Sequence, residues 1–164
     1  MSTGRSTHLN LYFHHTAIGR IGIVEDNGSI TNLFFETDAV PQNVEMCETD
    51  LIKEAFRQLD AFLAGELKTF SLPLAPRGTE FMRAVWKILC GVPYGNTASY
   101  KEIAIAAGNS KAARAVGMAN NKNPIPLFIP CHRIIGTDGK PVGYRGGLDV
   151  KRKLLELEKH HASV

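Results

Sequence analysis

Apolar and polar positions alternate near the start of the chain, with Leu9, Leu11 and Phe13 set against Asn10, Tyr12 and His14. A period of two predicts a half-buried strand. Gly19 and then Asp26-Asn27-Gly28 punctuate two further apolar runs, 20–25 and 30–35. Three strands in an antiparallel meander with tight turns are therefore expected. After a polar loop the period changes: Leu51, Ile52, Ala55, Phe56, Leu59, Phe62 and Leu63 recur at helical spacing. Thr49 or Asp50 can cap that helix and Gly65 can end it. A small sheet carrying one helix is the minimal two-layer unit.

The segment Leu72-Pro73-Leu74-Ala75-Pro76-Arg77-Gly78 favours extended backbone and marks a boundary, dividing the chain into 1–76 and 77–164. Beyond it Thr79 caps a helix with the stripe Phe81, Val85, Trp86 and Leu89, stopped by Gly91 and Pro93. A short helix at about 98–107 follows, broken by Gly108-Asn109, and Ser110 caps a third that runs to about 119. Two short helices around a glycine turn fit a helix-turn-helix. Lys111 and Arg114 stand there among small residues, Ala113 and Gly117 included, which let a helix come close to whatever it meets. Close packing against another helix is the plainer reason for such residues. Asp138-Gly139 predicts a hairpin turn, and Gly143-Tyr144-Arg145-Gly146-Gly147 a glycine-rich loop. Asp149 caps a last helix whose Val150, Leu154, Leu155 and Leu157 face inward. The fold class expected is α+β: a small N-terminal antiparallel sheet with a helix, then a mostly helical C-terminal domain containing the helix-turn-helix.

Composition leaves that picture intact. The 164 residues, 44% hydrophobic and 21% charged, are enough to bury a core without staples, and disordered or collagen-like chains are excluded. No stretch approaches a membrane span, and the start shows no secretory h-region. Charge adds something. Residues 1–76 carry 5 Lys and Arg against 10 Asp and Glu, a net −5, whereas 77–164 carry 14 against 6, a net +8. A basic half beside an acidic one suits contact with a polyanion, although two solvated surfaces would give the same split. The three cysteines, Cys47, Cys90 and Cys131, form no C-x-x-C pair, so neither a disulfide framework nor a cysteine-based zinc site is expected. Reduced cytosol is the natural compartment.

Cys131 is followed directly by His132, and an imidazole can take a thiol's proton. Neighbours on a regular strand point to opposite faces, but Pro130 favours a turn that brings the two together. A bare Cys-His pair is more often a buried structural cysteine beside an exposed histidine. The longer run decides. Ile129-Pro130-Cys131-His132-Arg133-Ile134 resembles the active-site signature of the O6-alkylguanine-DNA alkyltransferases, the methylated-DNA–protein-cysteine methyltransferases. The stretches PYGNTASYKEIA (93–104), KAARAVGMANNKNP (111–124) and GYRGGLDVKRKLLELE (143–158) resemble that family in the same order and spacing, so strong resemblance covers about residues 79–158.

The resemblance implies a DNA repair protein that moves an alkyl group from O6 of damaged guanine onto its own Cys131. The transfer needs a thiolate, and an unperturbed thiol, with a pKa of about 8.5, is mostly protonated at neutral pH. The family's answer is a histidine acting through a water and a glutamate that orients it, here His132 and Glu158. Asn123 matches the asparagine that braces the turn, and Tyr100 the tyrosine whose hydroxyl helps neutralise the departing guanine. Tyr144, Arg145 and Gly146 match the loop that walls the base pocket; Arg145 stands where other members carry smaller polar residues, so its backbone N–H is the expected contact. Base access requires extrusion of the nucleotide. The family's second helix enters the minor groove, with Arg114 filling the gap left by the base. Ala113 and Gly117 then fit the groove, Ser110 and Lys111 are counted with the DNA-binding residues, and for Lys111 the residues leave open whether it adds phosphate contacts or packing. Arg133 adds phosphate contacts or packing, which the residues leave open.

The thioether has no route back, so one alkyl group per chain is expected, with no cofactor and no metal. No cysteine precedes Cys47, so an N-terminal zinc site is not expected, and Cys47 and Cys90 are expected to pack as small hydrophobes. Expected partners are double-stranded DNA bound through the minor groove and a flipped alkylated guanine. A monomer is expected, able to cluster on DNA, in the cytoplasm (on the nucleoid if bacterial) and with no membrane. Two rivals remain: a non-catalytic lesion sensor, against which Cys131 itself stands, and a Cys-His hydrolase, for which no oxyanion-hole signature is present.

Overall fold

The computed structural model describes residues 9–162. Strands β1 (Leu9–Thr16), β2 (Gly19–Asp26) and β3 (Ser29–Phe35) form the expected meander. The β2–β3 turn places Asn27 at φ 51° and Gly28 at φ 82°, the left-handed pair that a tight hairpin between right-twisted strands requires. A short fourth strand, β4 (Val44–Met46), runs parallel to β1 and was not expected; the polar loop after β3 simply carries the chain back beside β1. The order is β3-β2-β1-β4. Helix α1 (Asp50–Leu63) lies on this sheet through Ile52, Ala55, Phe56, Leu59 and Phe62. Of its two candidate caps Thr49 acts, its hydroxyl accepting from the Ile52 N–H at 3.2 Å.

The free edge of β3 does not face solvent. Ile30 N donates to Pro73 O at 2.8 Å and Ala75 N to Ile30 O at 2.8 Å, so the extended 72–78 segment is laid along the sheet. Further along, Leu33 N donates to Pro124 O at 2.9 Å. An edge strand is a liability unless covered, and here the 73–75 backbone and, further along, Pro124 of the C-terminal half cover it.

The second half contains α2 (Glu80–Cys90), β5 (Ala98–Ser99), α3 (Tyr100–Ala106), α4 (Ala113–Asn121), β6 (Ile134–Ile135) and α5 (Leu148–His161). Thr79 caps α2 as expected, and Val85, Trp86 and Leu89 are buried. Phe81, placed on the same stripe, is instead exposed in the helix's first turn. The Trp86 indole donates to Ala119 O at 2.8 Å and ties α2 to α4. Helix α3 is shorter than expected because Ser99 and Glu102 form a capping box that fixes its start. Ser110 does not cap α4. Asn109 consumes the turn, accepting from Lys111 N through its side chain and from Ala112 N through its carbonyl, so the helix begins at Ala113 with no side-chain cap. Asp149 does not cap α5 either: Gly147, at φ 99°, starts the helix two residues earlier and leaves Asp149 exposed in the first turn. On α5 only Leu154 of the expected inward residues is fully buried; Lys151 and Glu158 share its face. The Asp138-Gly139 turn closes between Gly136 and Lys140, but no second strand follows it. Instead β6 pairs in parallel with β5. Among the described residues, no helix is long and apolar enough to cross a membrane.

Candidate active site

Pro130 takes φ −80° and ψ 63°, and Cys131 N donates to Ile129 O at 2.7 Å, which is an inverse γ-turn. One turn of 3-10 helix, Cys131–Arg133, follows. The turn therefore forms as the proline suggested, and Cys131, His132 and Arg133 are all buried. Asn123 holds the segment in front of it. Its Nδ2 donates to Ile129 O at 3.0 Å and its Oδ1 accepts from Ile125 N at 2.9 Å. Between these anchors Leu127 is forced to φ 76°, a conformation non-glycine residues rarely adopt.

Helix α5 brings Glu158 to this turn. The carboxylate is 1% exposed and accepts three donors: His132 Nε2 at Oε2, Arg133 Nε at Oε1 at 2.7 Å, and the Gly95 N–H at Oε1 at 3.1 Å. Arg133 also donates to Val92 O at 2.8 Å. Arg133 thus packs and pairs inside the protein, which closes the question left open between phosphate contact and packing.

Burial is the largest influence on His132 and pushes its pKa below 6.5, against the pull of Glu158. Burial would raise the Glu158 pKa, but the hydrogen bonds and charges of His132 and Arg133 outweigh it and leave the carboxyl low. The pair is consequently a neutral imidazole and an ionised carboxylate. Nε2 carries the proton given to Glu158, and Nδ1 keeps its lone pair. That Nδ1 is buried with no protein partner, the condition of a general base waiting for a proton. Burial also holds the Cys131 pKa above 9.0, opposed by an Asn123 hydrogen bond and by the charges of Arg145 and Lys151. The resting thiol is protonated and must lose its proton as it reacts.

A small pocket opens onto Cys131, walled by Asn120, Gly143, Tyr144 and Arg145 among others. A larger recess, lined by Phe70, Cys90, Tyr94 and Arg133, lies behind the turn and does not reach the thiol. Tyr100 donates to Val142 O at 3.3 Å; burial, then the neighbouring Cys131, raises its pKa, so the hydroxyl stays a donor. Tyr144 packs edge-on to Phe35, and its hydroxyl is buried without a partner. The Arg145 side chain turns away toward β3. Gly146 lies on Phe35, where a Cβ would come within 2.8 Å of the ring.

The residues expected to meet DNA sit elsewhere. Ser110, Lys111 and Arg114 are exposed around the start of α4, and Ala113 and Gly117 are half-buried. Gly117 faces the Tyr100 ring, so Tyr100 lies between α4 and the pocket loop. Three residues of the site escaped sequence reasoning. Asn120 is buried with an unpartnered Oδ1. Gly95 contributes only its backbone. Lys151, 0% exposed, donates to Val142 O at 3.2 Å and Gly143 O at 3.3 Å. The spacing 151, 154, 158 puts a lysine and a glutamate on one core-facing stripe of α5, a signal that was available. Cys47 and Cys90, expected to pack as small hydrophobes, are exposed: one follows the short edge strand β4 and the other ends α2.

Residues 80–160 match the family described as 6-O-methylguanine DNA methyltransferase, DNA binding domain, and residues 7–76 that described as 6-O-methylguanine DNA methyltransferase, ribonuclease-like domain. A methylated-DNA–protein-cysteine methyltransferase of Methanosarcina mazei is 45% identical over 156 residues, which cover 92% of this chain and 99% of that one. The protein of that name from Methanosarcina barkeri is 57% identical over 109 residues, 66% of this chain and 69% of its own. The Mycobacterium tuberculosis OGT crystallised in complex with DNA superposes with a TM-score of 0.88 at 42% identity, covering 93% of this chain and 94% of that one.

Proposed function

The chain belongs to the 6-O-methylguanine DNA methyltransferase family, and on that premise we propose that it repairs O6-alkylguanine in DNA by taking the alkyl group onto Cys131. The observation that carries the assignment of roles is the buried His132 Nδ1, left without a protein partner on the residue that follows Cys131, while Nε2 is bound by Glu158. The Cys131 thiol gives its proton to His132, directly or through one water. Its sulfur then displaces the alkyl carbon from O6, so an S–C bond forms as the C–O bond breaks. The departing guanine takes up one proton from solvent while the imidazolium releases the thiol's proton to solvent, so protons balance, and Tyr100 donates a hydrogen bond to the guanine ring. Glu158 balances the imidazolium while it lasts. Asn123 holds the turn, and Tyr144, the Arg145 backbone and Gly146 wall the base. No step regenerates the thiol, so each chain acts once.

The lesion reaches this pocket only outside the base stack. We assign Arg114 to fill the vacated place. Ala113 and Gly117 enter the minor groove on the second helix of a helix-turn-helix, and Ser110 and Lys111 contact the backbone. The chain divides functionally at 76/77 and works as a monomer, in the cytoplasm or on a bacterial nucleoid. Intact mass after incubation with a duplex carrying one O6-methylguanine, followed by peptide mapping, tests the reading. One methyl group on the Cys131 peptide, saturating at one per chain, is expected. Unchanged mass with tight lesion binding means a sensor, and repaired DNA with unmodified protein means a turnover enzyme.

A further inference from the structure

We propose that Arg145 is a positioning residue through which the N-terminal sheet sets the shape of the Cys131 pocket. The proposal rests on the alkyl-transfer reading above. The loop that walls the pocket is Gly143-Tyr144-Arg145-Gly146-Gly147, with Gly143 at φ 56° and Gly147 at φ 99°. Glycine backbone has little stiffness of its own, so such a loop must be held from outside. On one side Lys151 holds Val142 O and Gly143 O. On the other, three consecutive residues dock onto the end of β3.

Tyr144 meets Phe35 edge-on at 5.7 Å between ring centres, and Gly146 lies against the same ring. Arg145 does more. Its Nε pairs with Asp38 Oδ2 at 3.2 Å, Nη2 donates to Leu33 O at 3.1 Å and Nη1 to Asn123 O at 3.2 Å. Asp38 is itself fixed, since the same oxygen accepts from Phe35 N at 2.8 Å. One guanidinium therefore joins a strand of the N-terminal sheet to two walls of the pocket: its own loop and Asn123, whose side chain holds Ile129 in front of Cys131. Only a planar fork with donors in several directions can do this; a lysine ammonium on its flexible stem cannot reproduce it.

The test is single-turnover methyl transfer from a duplex carrying one O6-methylguanine, over a range of duplex concentrations. Wild type is compared with Arg145→Ala, Arg145→Lys and Asp38→Asn, all below their unfolding temperatures. Labelling of Cys131 by iodoacetamide runs in parallel, because that reagent needs the thiol but not a shaped base pocket. Loop misplacement lowers the rate at saturating duplex about tenfold or more in Arg145→Ala. Arg145→Lys gives no rescue and Asp38→Asn falls part of the way. Half-saturation and iodoacetamide labelling of Cys131 stay within about twofold in Arg145→Lys, which keeps the positive charge that opposes the raised Cys131 pKa. A saturating rate equal to wild type in Arg145→Ala overturns the proposal. So does a parallel loss with iodoacetamide in Arg145→Lys, which would place the damage at the thiol or the fold. A wild-type chain that labels at Cys131 by peptide mapping but takes no methyl from DNA overturns the alkyl-transfer reading itself, and this proposal with it.

Discussion

Around Cys131 the charged side chains are withdrawn from water and tied to one another, whereas at the start of α4 they stand in it alone. His132, Arg133 and Glu158 share one hydrogen-bonded cluster at 0–9% side-chain exposure. Arg114 and Lys111 are exposed, and among the described residues no ion pair or hydrogen bond engages the side chain of either. Burial makes the first region reactive: it keeps the imidazole neutral and the thiol protonated until a substrate arrives. On the function proposed above, exposure is what lets the second region engage DNA, since an unpaired surface cation remains free for a phosphate or for the space a base leaves. Substitutions in the two regions should therefore separate chemistry from DNA engagement.

Cys131→Ser gives the largest effect: no alkyl group appears on the protein by intact mass, while duplex affinity in a gel-shift titration stays near wild type. Continued transfer in this variant would sink the assignment of Cys131. Glu158→Gln comes next. Removing the carboxylate charge leaves His132 without its counter-charge and Arg133 buried without a full partner. Transfer should slow about 100-fold, and chemical denaturation should show a loss of about 3 kcal/mol. A slowed reaction at unchanged stability would mean that Arg133 had found another partner. Arg114→Ala sits on the other side of the comparison. Repair of duplex lesions should fall more than tenfold, reaction with free O6-benzylguanine should not change, and stability should move by no more than about 0.5 kcal/mol. Equal losses on both substrates would refute the separation.

Acid should act on the buried region alone. His132 has a folded pKa below 6.5 and is neutral when buried, so the unfolded chain binds more protons as pH falls below that value. Glu158 adds to this at lower pH, because its folded pKa lies below 4.5 and its stabilisation is lost as the pH approaches that depressed value. Both signs agree. Stability is fully present above about pH 6.5 and declines on acidification, beginning with histidine. Unfolding midpoints of wild type and His132→Gln between pH 7.5 and 5 check it; the slope nearest pH 6 should be shallower in the variant.

Local signals made part of this molecule legible. The meander follows from alternation and Asn27-Gly28, and α1 and α2 from helical spacing with Thr49 and Thr79 as caps. Those features are decided within a few residues. The starts of α4 and α5 differ from those expected because the Asn109 turn and the backbone of Gly147 set them, which a Ser or Asp nearby does not report. The site divides in the same way. Cys131, His132, Asn123 and Glu158 do come together, but their identification came from family resemblance; spacing alone does not place residue 158 against residue 132. Arg145 is the sharper case. Its partners at Leu33 and Asp38 are more than 100 residues distant in sequence, and nothing local announces them.

The smallest prediction concerns Gly117, where the two regions touch through Tyr100. A methyl group added there would meet the Tyr100 ring at 3.7 Å, ordinary contact, so nothing inside the chain demands glycine at this helical position. Glycine in a helix interior costs about 0.5–1 kcal/mol relative to alanine. Gly117→Ala should therefore stabilise α4, raising the unfolding free energy by about 0.5 kcal/mol. If Gly117 is small because α4 enters a narrow groove, the same methyl group must weaken duplex binding by a few-fold while reaction with the free base is unchanged. Stability and DNA affinity then move in opposite directions from one added carbon, which internal packing cannot produce. An alanine variant that binds duplex as wild type does would return Gly117 to the packing explanation and leave the proposed role in DNA engagement to Arg114.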